Sequence, residues 1–314
     1  MKYLFGPVAS RRLGLSLGLD IIPSKTCPMD CVYCECGKTT KKTLVRKPYV
    51  TAEEVLSELR EYLQQNSKLD YITFSGSGEP TLNSDIGKMI TGIKKMTSIP
   101  VCVLTNSMLL HRKDVRADIK NADLIVPSLD AASDKMFRAI DRPPLKVKIE
   151  KIISALEDFR KTYTGQIWLE ILFVDGYNTK DEEVMLLKEA IGRIHPDRVQ
   201  LNTVDRPPLF DWVKPASYET LERIRIMLDF PNSDIALRQK KGTDAGSSSA
   251  TDPEHAILEL LKRRQSTVND MCQTLSMSEQ DVLRFVSRLE DKNFICVVEK
   301  DGEMFYTLKD RKPA

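Results

Sequence analysis

The stretch Leu69-Asp-Tyr-Ile-Thr-Phe74-Ser-Gly-Ser-Gly-Glu79-Pro-Thr-Leu-Asn-Ser84-Asp-Ile-Gly-Lys-Met89-Ile-Thr-Gly-Ile93-Lys-Lys-Met96-Thr-Ser-Ile99-Pro-Val-Cys-Val-Leu104-Thr-Asn-Ser107 contains one whole repeating unit of the fold. Residues 69–74 are rich in aromatic and β-branched side chains and stop at a glycine-rich turn, so they are predicted as a strand. Residues 84–96 place Ile86, Met89, Ile90 and Ile93 on one helical face, with Ser84 available as a cap. Residues 99–104 form a second apolar run, closed by Thr105-Asn106-Ser107. Two buried strands joined through a helix pair in parallel.

Outward from this unit the alternation continues. Helices are expected at 51–66 (capped by Thr51 or Ser57), 111–119, 133–140, 147–160, 179–191 and 216–228. Strands are expected at 19–22, 124–127, 168–174, 198–201 and 234–237. The reading is an α/β fold, a partial (β/α)6 TIM-like barrel over residues 1–241. In such folds the loops at the C-terminal strand ends carry the site. Residues 242–252 (Gly-Thr-Asp-Ala-Gly-Ser-Ser-Ser-Ala-Thr-Asp) have the composition of a flexible linker. Residues 253–314 are expected as three helices (253–264, 267–272, 278–289) and a hairpin (294–299, 303–308), a small winged helix-turn-helix domain.

The 314 residues are 41% hydrophobic and 29% charged, as in a folded chain, with no apolar run long enough to span a membrane. The first residues lack a secretion signal, so a cytoplasmic location is expected. Net charge is +2, but residues 1–50 hold nine Lys or Arg against three Asp or Glu, a basic region suited to a polyanion or a carboxylate. Residues 254–312 hold ten basic against eleven acidic residues. Phosphate contacts need a positive surface, so specific DNA binding is unexpected there, and docking of a protein or a lid role fits better. Three histidines (111, 195, 255) and no Ser–His–acid arrangement disfavour histidine acid–base catalysis.

Four of the seven cysteines fall within ten residues, in Thr26-Cys27-Pro-Met-Asp-Cys31-Val-Tyr-Cys34-Glu-Cys36. Crowding of this kind in a cytoplasmic chain points to metal rather than disulfides. A zinc site is one alternative, although zinc sites usually pair two distant knuckles. A four-thiolate electron-transfer cluster is another. Cys102, Cys272 and Cys296 are dispersed and read as ordinary thiols.

The spacing Cys27, Cys31, Cys34, with aromatic Tyr33 before the last, resembles the radical S-adenosylmethionine (radical SAM) superfamily motif. That resemblance implies a [4Fe-4S] cluster held by these three cysteines. The open iron would take the amino and carboxylate groups of S-adenosylmethionine, and reductive cleavage would yield a 5′-deoxyadenosyl radical. It implies that Tyr33 packs beside the adenine and that Gly76, Ser77, Gly78 and Glu79 meet the methionine end. Ser77 stands where the family usually has glycine. It places Asn106, Ser107, Ser128 and Asp130 near the ribose and carboxylate, and Asn202 near the adenine. Cys36 is then a neighbour, with sulfur handling or substrate contact as its open roles.

Phe5-Gly-Pro-Val-Ala-Ser-Arg-Arg-Leu-Gly-Leu-Ser-Leu-Gly18 and Gln200-Leu-Asn-Thr-Val-Asp-Arg-Pro-Pro208 carry a second resemblance. It is to a bacterial and archaeal subgroup related to the wybutosine-synthesising tRNA enzyme. No cysteine precedes Cys27, unlike that enzyme, which carries further N-terminal cysteines. The expected partners are a one-electron reductant of flavodoxin or ferredoxin type and a substrate. Three readings stand: an enzyme acting on a peptide, protein or small metabolite; an RNA-modifying enzyme; and a non-enzymatic redox regulator.

Overall fold

The computed structural model describes residues 2–10, 12–65, 68–236, 253–275 and 277–311. The linker expected at 242–252, the last residue of the strand expected at 234–237, and Arg11 lie outside them. The chain runs β1 (Leu4–Ser10), β2 (Gly14–Leu19), β3 (Thr26–Cys27), β4 (Lys41–Lys42), α1 (Ala52–Gln65), β5 (Tyr71–Phe74), α2 (Ile86–Met96), β6 (Val101–Thr105), α3 (Lys113–Ile119) and β7 (Leu124–Pro127). It continues through α4 (Asp134–Ile140), α5 (Ile149–Thr162), β8 (Gln166–Phe173), α6 (Asp181–Ile194), β9 (Arg198–Thr203), α7 (Tyr218–Leu228) and β10 (Ser233–Ile235). From residue 253 come α8 (Pro253–Arg263), α9 (Val268–Leu275), α10 (Glu279–Asp291), β11 (Ile295–Lys300) and β12 (Glu303–Leu308).

One eight-stranded sheet has the order β1-β2-β5-β6-β7-β8-β9-β10. β1 is antiparallel to β2, and every later pair is parallel. The C-terminal ends of seven strands therefore share one edge. β1 was not expected, because Gly6-Pro7 interrupts its pattern; the sheet has eight strands where seven were expected. Its two faces do different work. Val101, Val103 and Ile125 join the large apolar core beneath the helices, whereas Cys102, Leu124 and Val126 form a small cluster on the opposite face. On that second face Ser16, Thr73, Leu104, Glu170 and Asn202 border a cavity.

Local chemistry corrects several expected boundaries. The strand expected at 19–22 ends at Leu19, and Ile21 and Ile22 are buried by loop packing instead. Thr51 caps α1, with Glu54 Oε2 accepting from the Thr51 amide at 3.1 Å; Ser57 is interior. Ser84 does not cap α2: Asn83 Oδ1 accepts from the Asp85 amide at 2.9 Å and the helix begins at Ile86. Asn202 lies within β9 rather than beyond it.

The last three helices and the β11–β12 hairpin have their own apolar cluster, built around Ile257, Leu261, Met271, Val286 and Ile295. Ser278 Oγ accepts from the Asp281 amide at 3.1 Å and starts α10.

The glycine-rich turn after β5 is packed from behind. Gly76 has φ +140°, and a Cβ there would come within 2.3 Å of the Asp20 carboxyl carbon. A Cβ on Gly78 would lie 2.4 Å from the Thr26 carbonyl oxygen, a backbone atom. Gly78→Ala must push the cysteine loop off the sheet, and should lower the stability of the purified chain by about 1–3 kcal/mol. Gly192→Ala, on an open face of α6 with nothing within 4 Å of the new Cβ, should raise it by about 0.5–1 kcal/mol. Urea unfolding midpoints of the two variants, moving in opposite directions, check both statements.

Candidate functional site

The cysteine loop follows β2 and lies across the functional edge of the sheet. The Lys25 amide donates to Ser77 O at 2.8 Å, and the Glu79 amide to Thr26 O at 3.2 Å. Two turns then bring the thiols round: the Cys34 amide donates to Cys31 O at 3.2 Å and the Gly37 amide to Cys34 O at 2.8 Å. Cys27, Cys31, Cys34 and Cys36 all border one cavity of about 870 Å3. Among the described residues no three metal-binding side chains converge at single-ion spacing.

Each thiol has its own surroundings. Cys27 Sγ accepts from Asn106 Nδ2 at 3.3 Å, and burial, reinforced by the Glu79 carboxylate, pushes its pKa up to about 12. Burial and then Asp141 raise Cys31, whose Sγ is 3.5 Å from Asp141 Oδ1. Cys34 is drawn down to about 6 by its neighbour Cys36, with help from the Lys25 ammonium 4.0 Å away. Cys36 is correspondingly raised, and its Sγ donates to Arg263 O at 2.9 Å. Three soft donors on a short loop, facing a cavity rather than solvent, fit an iron–sulfur cluster; coordination itself deprotonates thiols that burial would keep neutral.

Of the residues expected around the cofactor, Tyr33, Gly76, Ser77, Gly78, Glu79, Asn106, Ser128 and Asn202 line this cavity. Ser107 and Asp130 lie behind its wall. Ser107, at φ +66°, donates its hydroxyl to Ser128 O at 2.8 Å. Asp130 Oδ1 accepts from the Leu172 amide at 2.7 Å, and its other oxygen accepts from the Tyr33 hydroxyl, which also lies 3.2 Å from Asp141 Oδ1. Burial raises both carboxyls, Asp130 to about 7. Glu79 is buried with its oxygens occupied by Thr81, Thr105 and the Asn106 amide. Ser77 Oγ donates to Asp20 Oδ2 at 2.7 Å.

Sequence reasoning missed residues that only long-range pairing reveals. Arg12 forms an ion pair with Glu170, whose other oxygen accepts from Asn202 Nδ2 at 2.8 Å. Asp20, at the end of β2, meets Arg263 Nε at 3.3 Å. Arg206, in the turn after β9, pairs with Glu35 at 3.1 Å and Asp270 at 3.0 Å, and donates to Gln265 O. Burial opposes the Arg206 charge, and the two carboxylates outweigh it. Asp20 and Arg206 both occupy polar strand ends, a signal that could have marked them. The partners from α8 and α9 had no such signal. Cys102 is buried, while Cys272 and Cys296 are half-buried and apart from the cavity. Among the described residues no helix is long and apolar enough to cross a membrane.

Residues 21–187 match the radical SAM superfamily. A UPF0026 protein of Methanocaldococcus jannaschii is 31% identical over 98% of this chain and 96% of its own length. A Brachyspira hyodysenteriae protein named GTPase Obg is 36% identical over 98% of this chain, which spans only 45% of that longer protein. Among solved structures, a radical SAM methyltransferase from Sphaerobacter thermophilus superposes with a TM-score of 0.53 at 16% identity, covering 70% of this chain and 65% of that one. The chain belongs to the UPF0026 family within the radical SAM superfamily, and with that membership come a [4Fe-4S] cluster and S-adenosylmethionine.

Proposed function

We propose that this protein is an enzyme that reductively cleaves S-adenosylmethionine and uses the 5′-deoxyadenosyl radical on a peptide, protein or small metabolite held in the same cavity. The observation that carries this reading is the cavity itself. It runs from the three thiols past Tyr33, Asn106 and Asn202 to side chains of α8 and α9. A redox regulator needs no such room beside its cluster. We further assign residues 1–241 to a partial (β/α)6 barrel, 242–252 to a linker, and 253–314 to a winged-helix unit that serves as a wall of the site.

Cys27, Cys31 and Cys34 would hold the cluster, which when bound supplies one electron to the sulfonium of S-adenosylmethionine. The chain's own residues position and shield. Asn106 Nδ2 orients Cys27, and Glu79 fixes the Asn106 backbone. Tyr33, anchored by its hydroxyl on the Asp130–Asp141 pair, presents its ring to the cavity. The backbone of Gly76 to Gly78 is held open toward the cofactor by Asp20 and Thr26 behind it. The GTPase named in the longer relative is not carried over. A phosphate loop needs glycine five positions before Gly37-Lys38-Thr39, and Val32 stands there.

A second reading, an RNA substrate, is favoured by a separate groove in which Lys42, Arg138 and Arg142 line the wall with no acidic residue. Arg142 also stacks over Phe210, 4.6 Å from its centroid. A specific RNA retained on anaerobically purified protein, and lost from the Arg138→Glu/Arg142→Glu variant, selects that reading.

Cys31→Ala should lose iron and abolish reductant-dependent 5′-deoxyadenosine formation; product at the wild-type rate rejects the assignment. Cys36→Ala should retain its full iron content after anaerobic reconstitution, because three other thiols suffice. Loss of iron in that variant would instead make Cys36 a ligand and close the cluster to S-adenosylmethionine.

A further inference from the structure

Four arginines border the cavity: Arg12, Arg206, Arg263 and Arg264. Three of them are neutralised by carboxylates. Arg12 is held by Glu170, Arg206 by Glu35 and Asp270, and Arg263 by Asp20. Arg264 differs. Its Nη2 donates to Thr274 Oγ1 at 3.1 Å, and no carboxylate among the described residues lies within ion-pair distance of it.

Arg264 cannot swing away easily, because the chain on either side is pinned. The Arg263 carbonyl accepts from Cys36, and the Gln265 carbonyl accepts from Arg206. From the hairpin, Lys300 Nζ donates to Val204 O at 3.1 Å and Arg206 O at 3.2 Å, clamping the unit to the turn after β9. Gln273 and Asn269 of α9 border the cavity beside Arg264 and offer neutral hydrogen bonds. A guanidinium carries five N–H donors in a planar fork, and one hydrogen bond leaves most of them unused. Burial disfavours its charge and Arg206 adds to that, outweighing the nearby carboxylates of Asp270, Glu35 and Asp205, so the protein compensates the cation only in part.

We propose that Arg264, with Asn269 and Gln273, forms an anion subsite in the roof of the cavity that binds a carboxylate or phosphate group of the substrate. The inference rests on the reading that this cavity is the radical-generating site. It makes the C-terminal unit the part of the protein that selects the substrate, and it assigns that substrate an anionic end. An Arg–carboxylate or Arg–phosphate pair takes two parallel hydrogen bonds, which fixes orientation as well as position.

The full-length protein is reconstituted anaerobically as wild type, Arg264→Gln and Arg264→Lys. Each is titrated calorimetrically with inorganic phosphate, with succinate and with S-adenosylmethionine. At least one of the two anions is expected to bind wild type, and the tighter identifies the group. Its affinity should fall on the order of tenfold or more in Arg264→Gln, about 1.4 kcal/mol or more. Arg264→Lys should recover part of it, since lysine restores the charge without the fork. S-adenosylmethionine affinity and iron content should be unchanged, and iron content reports separately on whether the cluster forms at all. Equal anion binding by wild type and Arg264→Gln overturns the proposal, as does failure of both anions to bind wild type. A parallel fall in S-adenosylmethionine affinity also overturns it, by assigning Arg264 to the cofactor's carboxylate. Should Arg264→Gln not fold, Arg264→Lys decides alone: undiminished anion binding rejects a role for the fork.

Discussion

Glu79 is buried to 2% exposure where three chain segments meet, and burial raises its pKa against four hydrogen bonds that favour the carboxylate. Thr81 supplies two of these bonds, from its amide at 3.1 Å and its hydroxyl at 2.6 Å. The Thr105 hydroxyl donates at 2.7 Å and the Asn106 amide at 2.8 Å. Its own amide closes onto the Thr26 carbonyl. One side chain thus ties the end of β5 to the end of β6, while its backbone holds the start of the cysteine loop. Each donor left without it would cost about 1–3 kcal/mol. The position of Asn106, and through it the orientation of Cys27, follows from this network. Oε1 takes three of these bonds and Oε2 one, so the carboxylate is largely engaged in the frame of the site.

Much of this frame was legible because its signals are local. The Leu69-to-Ser107 stretch shows a strand, a glycine turn, a helical face and a polar strand end, each within a few residues. The cysteine spacing is equally local. What the residues between 69 and 107 could not show is what stands behind them. Gly78 reads as an opening for a ligand, yet its nearest constraint is the Thr26 carbonyl. Ser77 reads as a tolerated departure from glycine, yet its hydroxyl is tied to Asp20. Asp130 reads as a cavity residue, yet it is turned inward to anchor Tyr33 and the Leu172 amide. These are pairings across tens or hundreds of residues, and period and propensity carry no information about them. β1 was hidden for a different reason: Gly6-Pro7 punctuates a strand at the sheet's edge, where proline is tolerated.

The C-terminal unit shows the same division between local and distant signals. Its three helices and hairpin were readable, and its near-neutral charge balance argued against DNA. Its place over the cavity depends on Arg206, whose side chain is 6% exposed and meets Glu35 of the cysteine loop and Asp270 of α9 together. A buried guanidinium with two carboxylates and a backbone carbonyl is compensated only while all segments stay in place, and removing one partner of such a pair costs several kcal/mol. The tie from Arg263 to Asp20 reaches the back of the glycine turn, so the roof and the turn after β5 share a carboxylate. A change in the seating of the C-terminal unit would therefore be felt at Ser77 and Cys36.

These ties leave the cavity electrically uneven. At the thiol end, burial raises Cys27 and Cys31 in the absence of a cluster and raises the Asp130–Asp141 carboxyls, while Arg12 and Glu170 cancel along the wall. At the roof, Arg206 and Arg263 are cancelled in turn, which leaves Arg264 as the guanidinium with no carboxylate at ion-pair distance among the described residues. Paired charges at short range produce little field at a distance, whereas one compensated only in part, in a low-dielectric enclosure, acts across it. A molecule with one anionic end then has one favourable orientation, with that end at α9 and its neutral part toward the thiols. A hydrogen-abstracting radical is indiscriminate toward exposed C–H bonds, so selectivity must come from how the substrate is held. A fixed cation at the far end of the cavity would provide that positioning without placing a reactive side chain near the radical.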